Sequence, residues 1–219
     1  MITIIVKKCL QSIAMYFAAD DWEALHGVLI AGYNNYQRDL RWRPSLIAQE
    51  LLISGEDHRF FRHPGFDVLA ICRAVYRRIF FGVIEGASTI EQQIVRVLTG
   101  RYERTFKRKV KEILLATLVT LVVPKPDLPG LYLRVGYYGW RMNSYKDACL
   151  RLQMHPSNMS HFDAADLVAR LKYPEPQRYS KKRTWQIKKR AKHLLALHSV
   201  HRSAEVYCGL KMGVTNATL

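Results

Sequence analysis

Residues 86–123 read GASTIEQQIVRVLTGRYERTFKRKVKEILLATLVTLVV, and the fold class follows from this stretch. Ser88-Thr89-Ile90-Glu91 has the form of a capping box, with the serine positioned to cap a helix start and Glu91 to reach back. Ile90, Ile94 and Leu98 then recur at helical spacing as a buried face. Gln92 and Arg96 share a second face, with Gln93 beside them. The run Arg101–Lys111 follows with six Lys/Arg, and Ile113–Val123 is eleven almost wholly apolar residues. Eleven residues suit a buried helix better than a membrane span, which takes about 20. Helices dominate this stretch, and no alternating strand pattern interrupts it.

The same pattern extends outward. Before it, Ser45–Ser54 places Leu46, Ile47, Leu51 and Leu52 at helical spacing. Val68–Phe81 is amphipathic, with Val68, Ile71, Cys72, Val75 and Ile79 in one stripe and Arg73, Arg77 and Arg78 elsewhere; Gly82 and Gly86 end it. Cys72 reads as a small buried hydrophobe within that stripe. After it, Pro124, Pro126 and Pro129 stop the apolar helix, and Tyr132–Leu152 reads as helix and turn. Phe162–Leu171 is a further helix and Lys181–Val200 a last basic one. Residues 1–40 are expected to form one or two helices of unknown role, without a clear transmembrane helix or signal peptide. The expected organisation is therefore this segment, a domain over 41–200 and a tail over 201–219.

Charge bounds the function. The 219 residues carry 34 Lys+Arg against 18 Asp+Glu, a net charge of +16, which calls for an anionic partner. Nucleic acid, an anionic membrane surface and a phosphorylated substrate are the candidates. Eight Lys/Arg between Arg178 and Lys192, with no acid among them, suit a nucleic-acid binder, but no recognised motif accompanies them. A hydrophobic fraction of 49% excludes an intrinsically disordered chain. Cys9, Cys72, Cys149 and Cys208 show neither CxxC nor zinc-ligand spacing.

Three segments concentrate chemistry. Glu56-Asp57-His58-Arg59-Phe60-Phe61-Arg62-His63-Pro64-Gly65 sets two carboxylates before aromatics, a histidine and a turn. A glutamate at the edge of an apolar helix suits a general base; the plainer alternative is a polar helix end. Gly86–Arg96 brings a helix start, Ser88, Thr89, Gln92, Gln93 and Arg96 together as a possible anion site. Arg104-Thr105-Phe106-Lys107-Arg108-Lys109-Val110-Lys111-Glu112 ends a basic run on a glutamate, for which an ordinary Arg108–Glu112 pair is the plainer reading.

In this order the segments resemble the peptidoglycan glycosyltransferase family (glycosyltransferase family 51). Its EDxxFxxHxG motif is matched by Glu56, Asp57, Phe60, His63 and Gly65. Its G(G/A)STIxQQ motif is matched by Gly86, Ala87, Ser88, Thr89, Ile90, Gln92 and Gln93, and its RKxxE motif by Arg108, Lys109 and Glu112. The resemblance implies a mainly α, lysozyme-like domain with a small membrane-facing jaw. Arg73, Tyr76, Arg77, Phe80 and Phe81 would contact lipid there. It also implies polymerisation of lipid II into β-1,4-linked glycan with inversion and release of undecaprenyl pyrophosphate. Glu56 would be the base on the acceptor hydroxyl. Glu112 would assist pyrophosphate departure, with a divalent metal (Mg or Mn) on Glu112 and no organic cofactor. Asp57, His63, Ser88, Thr89, Gln92, Gln93, Arg96, Arg104, Arg108 and Lys109 would bind substrate. The implied partners are lipid II, the growing glycan, an anionic membrane surface and cell-wall synthesis proteins, with no nucleic acid. The implied location is the outer face of the bacterial cytoplasmic membrane.

The chain departs from the family pattern in places. Arg96 and Val97 stand where the family commonly has Lys and Asn. The fourth motif survives only as Lys125, Leu128, Tyr132 and Leu133; Arg134 replaces an Asn, and Pro126 and Pro129 should break the helix there. The last motif is reduced to Arg190 and Leu194-Leu195. These changes motivate an alternative: a degenerate homologue that holds lipid II or a synthase partner without turnover.

Overall fold

A computed structural model describes residues 2–103, 105–202, 206–207 and 209–210. Among the described residues there are ten α-helices and no β-strand, so the chain is mainly α, as its sequence indicates. The helices divide between two compact units: residues 1–30 with 59–124, and 31–58 with 125–219.

In the first unit the apolar end of 86–123 supplies the centre. Helix α6 (Phe106–Val122) buries Leu115, Ala116, Leu118 and Val119. Its basic start and apolar end form one continuous helix, capped by the Thr105 hydroxyl on the Arg108 N–H. Helix α1 (Ile2–Phe17) packs against α6, and the Gln11 amide donates to the Thr117 carbonyl. Helix α2 (Ala19–Arg38) starts in this unit. Its Asp21 pairs with Arg101 at 2.6 Å and with Lys111, tying α2 to both ends of the basic run. Helix α5 (Ile90–Thr99) packs on α6 through Ile94 and Val95.

Helix α4 (Val68–Phe81) runs between the bounds its sequence signals. Asp67 caps it by accepting from the Leu69 and Ala70 N–H groups, and Gly82 closes it at φ 65°. No residue of α4 is buried. Cys72 is therefore exposed, not a core residue as its stripe suggests. Periodicity reports the stripe, but no described element covers it.

In the second unit, α3 (Leu46–Glu56) is capped by the Ser45 hydroxyl on the Ala48 N–H and buries Leu51, Leu52 and Ile53. It packs against α9 (His161–Lys172) and α10 (Lys181–Arg202), which also pack on each other. The prolines do not break the fourth-motif segment. Pro126 lies in a 3₁₀ turn over Lys125–Asp127. Pro129 lies in the first turn of α7 (Leu128–Val135), where a missing N–H costs no helical bond. Arg134 bonds the Trp42 carbonyl at 3.2 Å, Asn35 Oδ1 at 3.0 Å, and Asp39. Helix α8 (Tyr145–Arg151) follows and packs on α7.

Candidate active site

The first unit gathers the second and third motifs around one carboxylate. Glu112 lies in the second turn of α6 and is buried, with 2% of its side chain exposed. Arg96 on α5 faces it as a fork: Nε to Oε2 at 3.0 Å and Nη2 to Oε1 at 2.9 Å. Lys109 donates to Oε1 at 2.8 Å, and Arg108 donates to Oε2. Three cations thus face one anion, a local net charge of +2. Burial alone would raise the Glu112 carboxyl, but hydrogen bonds from Arg96 and Lys109 outweigh it and hold the group below its ordinary range. Burial pulls Lys109 below the usual lysine range, with Glu112 opposing.

The cluster extends through Ser88. Its Oγ accepts from Lys109 Nζ at 3.0 Å and from Arg96 Nη2 at 3.3 Å. Ser88 does not cap α5. Thr89 does, by accepting from the Gln92 N–H. The Thr89 hydroxyl also donates to the Gly65 carbonyl at 2.6 Å, so the turn of the first motif is tied to the start of the second. Gly65 sits at φ 140° with its α-carbon against the backbone of Ala116, and a side chain there would overlap the Ala116 carbonyl. Gln92 is fully buried. Its Oε1 accepts from Lys109, while its Nε2 has no partner among the described residues. A buried amide donor without a partner costs free energy unless a ligand or water meets it.

The remaining motif residues are placed as follows. His63 is buried, and its Nδ1 accepts from the Gly65 N–H at 3.3 Å. Gln93 is half-buried on α5, next to Gln92. Arg104 lies outside the described residues. Glu56 and Asp57 belong to the second unit, at the end of α3; Asp57 is buried and its N–H bonds the Ile53 carbonyl. Arg190 of α10 donates to Glu56 Oε1 at 2.9 Å and to the Gly55 carbonyl at 2.7 Å, fixing the carboxylate. That partnership joins residues 134 positions apart, and no local spacing announces it.

On α4, Tyr76, Phe80 and Phe81 are exposed, and the Tyr76 ring meets both phenylalanines, with Phe80 4.7 Å away. Arg73 and Arg77 each bond a different Glu85 oxygen at 3.2 Å. This partly neutralises the pair to which the family resemblance gives lipid contact.

Residues 34–198, three quarters of the chain, match the sequence model of the family described as Transglycosylase. The chain belongs to the transglycosylase family. It is similar to penicillin-binding protein 1F of Bacillus subtilis, 39% identical over 92 residues that cover 42% of this chain and 13% of that protein. A monofunctional glycosyltransferase of Staphylococcus epidermidis is 39% identical over 87 residues, 40% of this chain and 32% of the relative. Penicillin-binding protein 1A of Escherichia coli is 41% identical over 90 residues, 41% of this chain and 11% of the relative. The matched region thus spans between a tenth and a third of the length of these relatives.

The family resemblance implies a divalent metal on Glu112, and the side chains do not fit one. Both Glu112 oxygens already accept hydrogen bonds from Arg96, Arg108 and Lys109, and a divalent cation would add two more charges among three. The donor set is that of an anion site with a carboxylate at its base.

Proposed function

We propose that the chain is a peptidoglycan glycosyltransferase acting on a lipid-linked pyrophosphoryl disaccharide, lipid II, at an anionic membrane surface. The observation that carries this reading is the Arg96–Arg108–Lys109 cluster around Glu112. It holds net positive charge beside the Ser88 hydroxyl and the unpartnered Gln92 amide. A departing pyrophosphate develops charge that fixed cations and amide donors stabilise without reorganising. In this reading Glu112 orients the three cations and does not ligate a metal. Gln92 Nε2 donates to a donor oxygen, and Ser88, Thr89, Gln93 and Arg104 complete the donor side.

Glu56 takes the proton of the acceptor hydroxyl as that oxygen attacks the anomeric carbon. The carbon–pyrophosphate bond breaks, and the new glycosidic bond is inverted to β-1,4. Arg190 holds Glu56 in place, and Asp57 and His63 bind substrate. The exposed aromatics of α4 contact lipid with Arg73, Arg77 and Arg78 near head groups.

The enzyme is expected at the outer face of the cytoplasmic membrane. A non-catalytic binding role drew its support from the altered motifs, the prolines of 125–134 among them. Helix α7 forms there, which removes the prolines as a ground for it.

The test is incubation with lipid II, followed by gel separation of glycan strands. Glycan polymer from the wild-type chain is expected, with Glu56→Gln slower by about a hundredfold or more. Tight lipid II binding with no polymer would establish the binding role instead.

A further inference from the structure

Helix α1 carries a surface that the reading above does not use. One side packs on α6: Gln11 bonds the Thr117 carbonyl, Ala14 is fully buried, and Ala18, just past the helix end, is nearly so. A helix packed by one side ordinarily turns a polar side to water. Here the opposite side is apolar. Ile5, Cys9, Ile13 and Tyr16 follow one another four, four and three residues apart, with Phe17 at the edge. All are exposed; Ile5 is at 55%, Tyr16 at 83% and Phe17 at 68%.

We infer that this outer face of α1 binds an anionic lipid surface, lying in the plane of the membrane. Three observations choose lipid over a second copy or another protein. Between Ile2 and Phe17 there is no acidic residue, and Lys8 is exposed at the edge of the face while Lys7 lies toward α6, so the charge around the face complements anionic head groups. A second copy would bring another chain of net charge +16 against it. The apolar pattern also ends abruptly at the aromatic pair Tyr16-Phe17, before the exposed Asp20.

With one side held by α6, the helix offers the membrane a single face and lies along the surface. No single helix among the described residues is long and apolar enough to cross a membrane. This surface adds to the lipid contact proposed for α4. It rests on α1 alone and is independent of the catalytic reading.

Cys9 is a native reporter at the centre of the face. In the full chain carrying Cys72→Ser and Cys208→Ser, Cys9 is labelled with an environment-sensitive NBD probe. Vesicles of equal parts phosphatidylglycerol and phosphatidylcholine are then added. The expected result is a blue shift with emission raised about threefold, and a much weaker response to phosphatidylcholine alone. Ile13→Glu with Tyr16→Glu should lower the fraction sedimenting with the anionic vesicles about fivefold at unchanged helical circular dichroism.

An unchanged Cys9 probe on sedimenting chain would overturn the inference. So would binding lost in Phe80→Glu with Phe81→Glu but kept in the α1 variant, which would leave contact through α4 alone. Emission rising with protein concentration in the absence of lipid, alongside dimers in analytical ultracentrifugation, would assign the face to a second copy and also overturn it.

Discussion

Arg96 and Glu112 form a two-point fork, with Nε and Nη2 of the arginine on different oxygens of the carboxylate at 3.0 and 2.9 Å. A lysine can supply charge at this position but not two parallel hydrogen bonds. Geometry and charge therefore separate in two variants. Arg96→Lys is expected to lower stability by about 1 kcal/mol while changing inhibition by inorganic pyrophosphate less than about threefold. Arg96→Gln should lose the same stability and weaken pyrophosphate inhibition about tenfold. Thermal unfolding and inhibition assays on both variants check this. Equal pyrophosphate inhibition in the two would show that the charge of Arg96 is not used on the ligand.

The Glu112 cluster also sets a pH dependence of stability. Its carboxyl is held below the ordinary value of 4.5, so the folded chain binds its proton less readily than the unfolded chain. That contribution is fully present above 4.5 and is lost as pH falls through the lower folded value. The wild-type chain should therefore unfold more easily as pH drops below 4.5, with a steeper dependence than Glu112→Gln. At neutral pH the variant should be less stable by about 3 kcal/mol, because three cations lose their counter-charge. Thermal denaturation across the acidic range measures both. Parallel curves for the two proteins would contradict the assignment.

Adjacent Ser88 and Thr89 show how far a single sequence reaches. Both are capping residues, and local pattern does not separate helix starts one position apart. Tertiary contacts separate them: Thr89 reaches the Gly65 carbonyl, and Ser88 is drawn to Lys109 and Arg96. Thr89→Ala should cost about 1 kcal/mol or more of stability. Ser88→Ala should cost under about 0.5 kcal/mol yet raise the KM for lipid-linked substrate severalfold. Reversal of these two effects would restore Ser88 as the cap.

The same contrast runs through the molecule. The end of α4 was legible because Gly82 acts locally. That its stripe stays uncovered was not legible, because covering is decided by distant segments; Cys72 was misread for that reason. Pro129 was misjudged because a proline that ends one helix equally suits the first turn of the next. Of the site, the motif residues and the local Arg108–Glu112 pair were legible, and the distant partners were not. Arg190 on Glu56 is a contact between chain segments with no local signature.

Asp21 makes the strongest case for the segment that precedes the family match. It lies outside residues 34–198, yet it joins Arg101 and Lys111, which bracket the basic run that leads to Arg108 and Lys109. The hydrogen bond from Lys111 is the main reason its carboxyl lies below the ordinary range, with burial opposing. Both basic partners are partly exposed, so each pair alone is worth less than about 1 kcal/mol. Their joint effect is to hold the start of α2 against the run. Asp21→Asn should therefore lower stability by roughly 1 kcal/mol, and Asp21→Glu should recover part of it. In a double-mutant cycle with Lys111→Gln, the second substitution should cost much less once Asp21 is gone. Additive losses would mean that the two residues do not act together. Because Asp21 sits in the first turn of α2, truncating the chain before residue 34 should cost at least as much as Asp21→Asn, and should also free the α6 surface that α1 covers.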